Sequence, residues 1–339
     1  MKTAALVYTA AIVNASIVGL SFLLTKIALE ATSPVDALGY RFFFAWLLLS
    51  IYWAFSGKRK ISVKEMDKKS LLFLAMLAVF YPIFFFSFQA FGLDYTSSAE
   101  GGIILAFSPA LTALMAAIFL KEKVNILQII FISLSISGVI YIFIMNGATF
   151  DVSESRFIGI FFLLLSCCSI SGYAVLGRYL SITFNPIHLT YIMASFGFLF
   201  FNTYAFATNI SNGSIRQYLF LWRKEEFLYS VLFLAIFATI LTSFLSNYIL
   251  SVLSASKMGI FSNLSTVISI LAGAVFLDEQ INMYHVFGSI MIIAGVIGTN
   301  LFKEQPNRRK NEGLASGGVP QDVGEPVIPL TEEKGNNRY

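Results

Sequence analysis

Glu100 and Lys257 each stand inside a long apolar run of this chain. An ionisable group at the centre of a membrane helix costs about 2.5–3.5 kcal/mol on insertion scales, so it counts as a site candidate by default. Glu100 is expected to bind an amine or to carry a coupling proton, a role suited to a carboxyl held away from water. Lys257 is expected to attract an anionic group of a solute. Each also has a plain alternative: Lys257 reaches headgroups along its aliphatic stem, and Glu100 reaches water at the nearer surface. Uncharged polar residues set deep in apolar runs extend the candidate pathway: Asn14, Tyr81, Gln89, Tyr173, Asn247 and Asn263. They can orient a small polar solute, or join helices at about 1 kcal/mol each.

Other residues carry less. Arg41 either faces a cavity or bonds carbonyls at a helix end, and Lys26 marks the end of its run. Glu122 and Glu279 fall between apolar runs, where a carboxylate satisfies free N–H groups at a helix start; both are read as structural helix-end residues. Pro109 removes one backbone hydrogen bond and is expected to kink its helix. His188 and His285 have no second ligand at metal spacing, so no metal site is expected. Cys167 and Cys168 adjoin inside an apolar run and read as small buried groups. With no phosphate-binding Gly-Lys-Ser/Thr loop, ATP is not expected as the direct energy source, and neither a cofactor nor catalysis is expected.

The elements that hold these residues follow from composition. The chain is 57% hydrophobic and 12% charged, against about 25% charged in soluble domains. Its 35 Phe and 15 Tyr spread along the apolar runs, as expected of side chains facing lipid. The net charge of +4 forms no basic stripe, so nucleic acid is not an expected partner. A bilayer span needs about 20 apolar residues. Ten windows satisfy this: 4–29, 34–56, 70–92, 95–120, 124–146, 157–180, 186–208, 227–250, 252–277 and 281–302. The first is too long for a signal peptide and is followed by further spans. Ser33-Pro34 and Asn185-Pro186 open the second and seventh, proline being welcome in a first helical turn. Residues 303–339 are rich in Gly, Pro, Glu and Asn and read as a disordered tail. Lysine and arginine gather in alternate loops, which places both termini on the cytoplasmic side.

The chain repeats itself. Phe119-Leu120-Lys121-Glu122-Lys123-Val124-Asn125 aligns with Phe276-Leu277-Asp278-Glu279-Gln280-Ile281-Asn282 at an offset of 157, which also carries Gly102 onto Gly259, Ser108 onto Ser265 and Gly138-Val139 onto Gly295-Val296. Ser33-Pro34 matches Asn185-Pro186 at an offset of 152. Two halves of five spans each follow: residues 1–146, then 147–302 entering the membrane inverted. Inverted repeats are an architecture of secondary transporters, with a site near the midplane between the halves.

The residues of the repeat also resemble a known family. Ser254-Ala255-Ser256-Lys257-Met258-Gly259, Phe276-Leu277-x-Glu279 and Gly288-x6-Gly295 are similar to the EamA domain of the drug/metabolite transporter superfamily. Thr96-Ser97-Ser98-Ala99, Ser108-Pro109, Phe119-Leu120-x-Glu122 and Gly138 are similar to its first copy. The resemblance covers about residues 5–302. It implies an all-α, ten-helix carrier in a plasma membrane, often an exporter of metabolites, amino acids or drugs. The family's proline stands at Pro109, whereas its repeat equivalent is Thr266. The expectation is therefore a multi-pass transporter of a small-molecule solute working by alternating access, with protons as a second partner through Glu100. The alternative is a membrane scaffold that keeps the fold without turnover. The sequence assigns no oligomeric state.

Overall fold

The computed structural model describes residues 2–55, 68–119, 121, 124–148, 154–180, 186–252 and 255–302, and every regular element among them is helical. In order these are α1 (Lys2–Ala31), α2 (Pro34–Phe55), α3 (Lys68–Ala78), a π-helical segment Val79–Phe84, α4 (Phe85–Tyr95), α5 (Ser98–Leu105), α6 (Ser108–Phe119), α7 (Ile126–Ala148), α8 (Glu154–Leu180) and α9 (Pro186–Ser211). After them come α10 (Ile215–Leu219), a 3-10 turn Leu221–Arg223, α11 (Glu225–Ala235), a second π-helical segment Ile236–Leu241, α12 (Thr242–Val252), α13 (Ala255–Phe276) and α14 (Met283–Leu301). Among the described residues, eight helical stretches are long and apolar enough to cross a bilayer, and two shorter apolar ones, Ile126–Ile142 and Leu264–Phe276, lie within α7 and α13. The expected tail and Glu122 fall outside the described residues. So do the side chains of Asn247, Lys257 and Asn263, which sit on α12 and α13.

An apolar core is kept, but the outer surface is apolar as well and several polar groups are buried. Phe119, Val275, Phe276 and Leu199 are exposed, while Arg41, Glu100, Ser98 and Thr266 are buried. Apolar side chains turned outward and polar ones inward suit a hydrocarbon solvent, in which interhelical polar contacts hold the bundle together.

Close backbone approaches fix the packing. A Cβ on Gly138 of α7 would lie 2.9 Å from Gly288 O of α14, and one on Gly295 of α14 would lie 2.5 Å from Phe131 O of α7. These two approaches are reciprocal under the 157 offset, which exchanges Gly138 with Gly295 and Phe131 with Gly288. Between them Ser135 Oγ donates to Ile292 O at 3.0 Å, again 157 residues apart. Gln128 Nε2, near the start of α7, donates to Thr299 O near the end of α14 at 3.3 Å, so these two helices run antiparallel. α5 and α13 are antiparallel as well: Ser269 Oγ donates to Ser98 O and Thr266 Oγ1 to Gly102 O.

The backbone irregularities recur at the same spacing. The π-helical segments begin at Val79 and Ile236 and end at Phe84 and Leu241. The non-glycine residues recorded with positive φ, Lys121 (52°) and Asp278 (50°), are also 157 apart. Span three is thus interrupted at Tyr81, whose φ of −148° and ψ of 115° are not helical. The fourth span breaks at Ala106–Phe107, where Phe107 N donates to Ile104 O, and Pro109 sits in the first turn of α6 beyond the break.

Candidate functional site: a sealed end and a buried arginine

Polar side chains meet at several places among the described residues, and two of these hold Glu100 and Arg41. The first is the end where α1 and α13 finish and α5 and α14 begin. The N-terminus of α5 presents four backbone N–H groups without helical partners. Ser97 caps it: its Oγ accepts from Glu100 N at 3.1 Å, while Glu100 Oε2 accepts from Ser97 N at 3.0 Å. This is the reciprocal capping box that a Ser-x-x-Glu spacing favours. The remaining donors, Ser98 N and Ala99 N, are taken at 2.6 and 3.0 Å by the carboxylate of Glu279, which also accepts from Ser98 Oγ at 3.1 Å. Glu279 therefore caps α5, and not the helix that follows it in sequence. The left-handed Asp278 turns the chain back after α13, and Glu279 N donates to Gly273 O at 3.2 Å.

Glu100 is fully buried and carries a second oxygen to spare. Its Oε1 accepts from Arg156 Nη2 at 2.9 Å and Nε at 3.2 Å, and His285 Nε2 lies 3.5 Å away. His285 Nδ1 accepts from Asn282 N at 3.2 Å, which leaves the ring proton on Nε2, facing Glu100. The alternative in which Glu100 reaches water is thus overturned: its carboxylate is enclosed by protein donors. The isolation of His285 holds in sequence and not in space. Lys26 Nζ completes this end by donating to Leu93 O at 2.7 Å and Thr96 O at 2.8 Å, carbonyls at the C-terminus of α4. A cation suits that end of a helix, where free carbonyls carry the negative pole. At the same end, Lys224 Nζ donates to Ala31 O, the last residue of α1.

The second place lies deeper. Arg41 is the eighth residue of α2, about 10 Å below its first residue at 1.5 Å rise per residue. It is 3% exposed. Its Nε donates to Thr239 Oγ1 at 3.2 Å, and its guanidinium carbon stands 4.2 Å from the centre of the Phe86 ring. Thr239 in turn donates to Leu234 O, five residues back, the bond that a π-helical turn allows. The Tyr81 ring packs 5.1 Å from Phe86 and 5.1 Å from Tyr173 of α8. Arg41 thus contacts the π-helical segment of the eighth span and packs beside the interrupted third. Burying a charge costs several kcal/mol after relaxation. One hydrogen bond and one cation–π contact return about 2–4 kcal/mol together.

Among the sequence candidates, Tyr81 and Tyr173 come together, and Gln89 is buried on α4 two turns beyond Tyr81. Asn14 is half-buried on α1 and its Oδ1 has no partner among the described residues. Arg156, His285 and Thr239 were missing from the sequence reading as site residues. Ser97-x-x-Glu100 was a legible signal for the cap, and Arg156 falls at the same end as Glu100 once spans are assigned. Nothing in the sequence singles out Thr239. An apolar hollow of about 490 Å³ between α7 and α8, lined by Val139, Ile140, Phe157, Ile158, Phe161 and Leu164, offers no polar side chain to orient a solute.

Apolar helices with an outward greasy surface, an enclosed charged end and a buried arginine define a polytopic membrane protein with polar groups at its interior. The chain belongs to the EamA-like transporter family, whose model matches residues 5–144 and 157–301. It is 40% identical over 302 residues to YcxC of Bacillus subtilis (strain 168), described as an uncharacterized transporter, covering 89% of this chain and 95% of that one. An uncharacterized transporter of Archaeoglobus fulgidus is 27% identical over 278 residues, covering 82% and 92%. A crystal structure matches with a TM-score of 0.56 at 16% identity, over 89% of this chain and 97% of that one, a likeness of fold. The protein is a membrane transporter.

Proposed function

We propose that this transporter is a secondary carrier that exports a small organic solute across the plasma membrane by alternating access. The solute is a metabolite, amino acid or amphipathic drug. In this reading the helices make ten crossings in two inverted halves, residues 1–146 and 147–302, with both termini and the tail cytoplasmic. The observation that carries it is the 157-residue recurrence of the two π-helical segments, with α7 and α14, and likewise α5 and α13, running antiparallel. Inverted halves with matching discontinuities are built to exchange roles between two states.

The end sealed by Glu279, Glu100, Arg156 and His285 is the outer gate. Both Glu279 and Arg156 belong to the second half and hold α5 of the first, so outward opening has to break contacts between halves. Asn14, Tyr81, Gln89, Tyr173, Asn247, Lys257 and Asn263 line the pathway. A proton on Glu100 removes the charge that holds Arg156 and so loosens the outer gate, which couples opening to proton entry.

Purified protein in vesicles, loaded with a mixed pool of amino acids and metabolites, tests this. Flux driven by an imposed pH gradient, abolished in Glu100→Gln, is the expected result. Flux indifferent to pH and to that substitution removes the coupling role. Absence of flux for every solute refutes the carrier and leaves a scaffold.

A further inference from the structure

We infer that Arg41 is the receptor for a carboxylate of the transported solute, so that this carrier selects small amphipathic acids. This rests on the carrier reading above and deepens it to a substrate class. A guanidinium holds five N–H donors in a planar fork. Among the described residues, the bond that Arg41 makes is the one from Nε to Thr239 Oγ1. The four donors on its two Nη atoms remain, in the geometry that binds a carboxylate through two parallel bonds. No ion pair among the described residues includes Arg41. Asp36, the acid on the same helix, is engaged by Thr32 Oγ1 and Asn209 Nδ2.

Structural roles for a buried arginine fit poorly. A helix-end arginine spends its donors on free carbonyls, as Lys26 does at Leu93 and Thr96, whereas the bond recorded for Arg41 goes to a hydroxyl. Snorkelling fails as well, because Arg41 is 3% exposed and turned into the bundle. Its position is the one a carrier needs. It touches Thr239 in the π-helical segment of the eighth span and lies over Phe86, one residue after the first full helical residue beyond the π-helical segment of the third. Both segments are places where a helix can change its turn, and each belongs to a different half. A carboxylate bridged to Arg41 would report its arrival to both.

The flanking chemistry sets the rest of the solute. Phe86, Phe85, Tyr81 and Tyr173 form a continuous aromatic group beside the guanidinium. These rings fit an apolar body attached to the acid, and Tyr81 and Tyr173 keep partly accessible surface for it. A multiply charged solute finds only one buried cation here among the described side chains.

The test uses matched acid and amide pairs: 3-phenylpropanoate, L-phenylalanine and L-leucine, each against its carboxamide. Binding to the purified full-length protein is read by thermal shift, and competition by flux in vesicles. At least one acid should bind about a hundredfold more tightly than its amide, the loss expected when one partner of a buried charge pair goes. That comparison needs no variant. Arg41→Gln should erase the preference, while Thr239→Val, which keeps the charge, should reduce affinity for the acid by about tenfold and keep the preference. Equal binding of acid and amide in all three pairs, or an acid preference that survives Arg41→Gln, overturns the inference. Flux of a neutral or cationic solute that is unchanged in Arg41→Gln would also overturn it while leaving the carrier standing. Absence of all flux alongside acid-selective binding would instead refute the carrier and keep Arg41 as an anion receptor.

Discussion

Replacing Glu279 with glutamine should open the end of the bundle that it holds shut. The carboxylate takes Ser98 N, Ala99 N and Ser98 Oγ, and Ser97 and Glu100 satisfy the other donors at that helix start. Glutamine keeps one acceptor oxygen and turns an NH₂ group toward a donor. Bonds to a charged acceptor contribute about 1.5–3 kcal/mol against 0.5–1.5 for neutral ones, and a negative charge at a helix N-terminus adds about 0.3–1 kcal/mol. The sealed state therefore loses about 2–3 kcal/mol, roughly a thirty- to hundred-and-fiftyfold shift toward opening. A cysteine at Tyr81, with Cys167 and Cys168 replaced by serine, reports this in sealed vesicles through a membrane-impermeant maleimide applied from the Glu279 side. Its labelling rate should rise by that factor in Glu279→Gln, with cooperative thermal unfolding retained. A rise of less than threefold would mean that these contacts do not govern access.

Glu100→Gln and Arg156→Gln should each lower stability in detergent, and the double variant should lose less than the two singles together. The coupling should be about 1–3 kcal/mol, within the range for residues in one network; additive losses would dissolve the proposed pairing. Gly295→Leu should be destabilised by about 1–3 kcal/mol or more, since its side chain would enter backbone at Phe131 and Ser135, and a normal melting temperature would contradict the packing of α7 on α14. Asp278→Gly should stabilise by about 1 kcal/mol by relieving the left-handed conformation at φ 50°; a loss of stability would show that the Asp278 side chain has a role of its own.

The helix boundaries were legible because breaks between spans consist of charge and turn residues. Ser33-Pro34 starts α2 where expected, with Ser33 Oγ accepting from Asp36 N at 3.3 Å. Interruptions inside spans were harder. Tyr81-Pro82 offered a proline, but the segment Ile236–Leu241 is uniformly apolar apart from Thr239, and a π-helical turn requires only one inserted residue. The site was half legible. Surrounding apolar residues singled out Glu100, while Arg41 was left open between a cavity and a helix-end role. Their partners could not be read, because Arg156, His285 and Thr239 lie 56, 185 and 198 positions away in sequence. Those partners depend on how the helices pack, which no periodicity encodes.

The repeat separates what positions the chemistry from what performs it. Residues that shape the backbone keep the 157 offset: the π-helical segments, Lys121 with Asp278, and Asn125-x-x-Gln128 with Asn282-x-x-His285, whose side chains accept from Asn125 N and Asn282 N alike. Residues that carry charge depart from it. Glu100 has Lys257 as its repeat counterpart, and the 152 offset takes Arg41 onto Met193, which is buried in an apolar cluster. A carrier with two identical halves would close its two ends with equal energy and have no preferred resting state. Here one end is held by the buried Glu100 paired with a part-exposed Arg156 and a histidine, while the repeat-equivalent position bears Lys257. In the proposed carrier, unequal locks on an equal scaffold would give the two closed states different free energies, and that difference would make one end the resting seal and let the other open first.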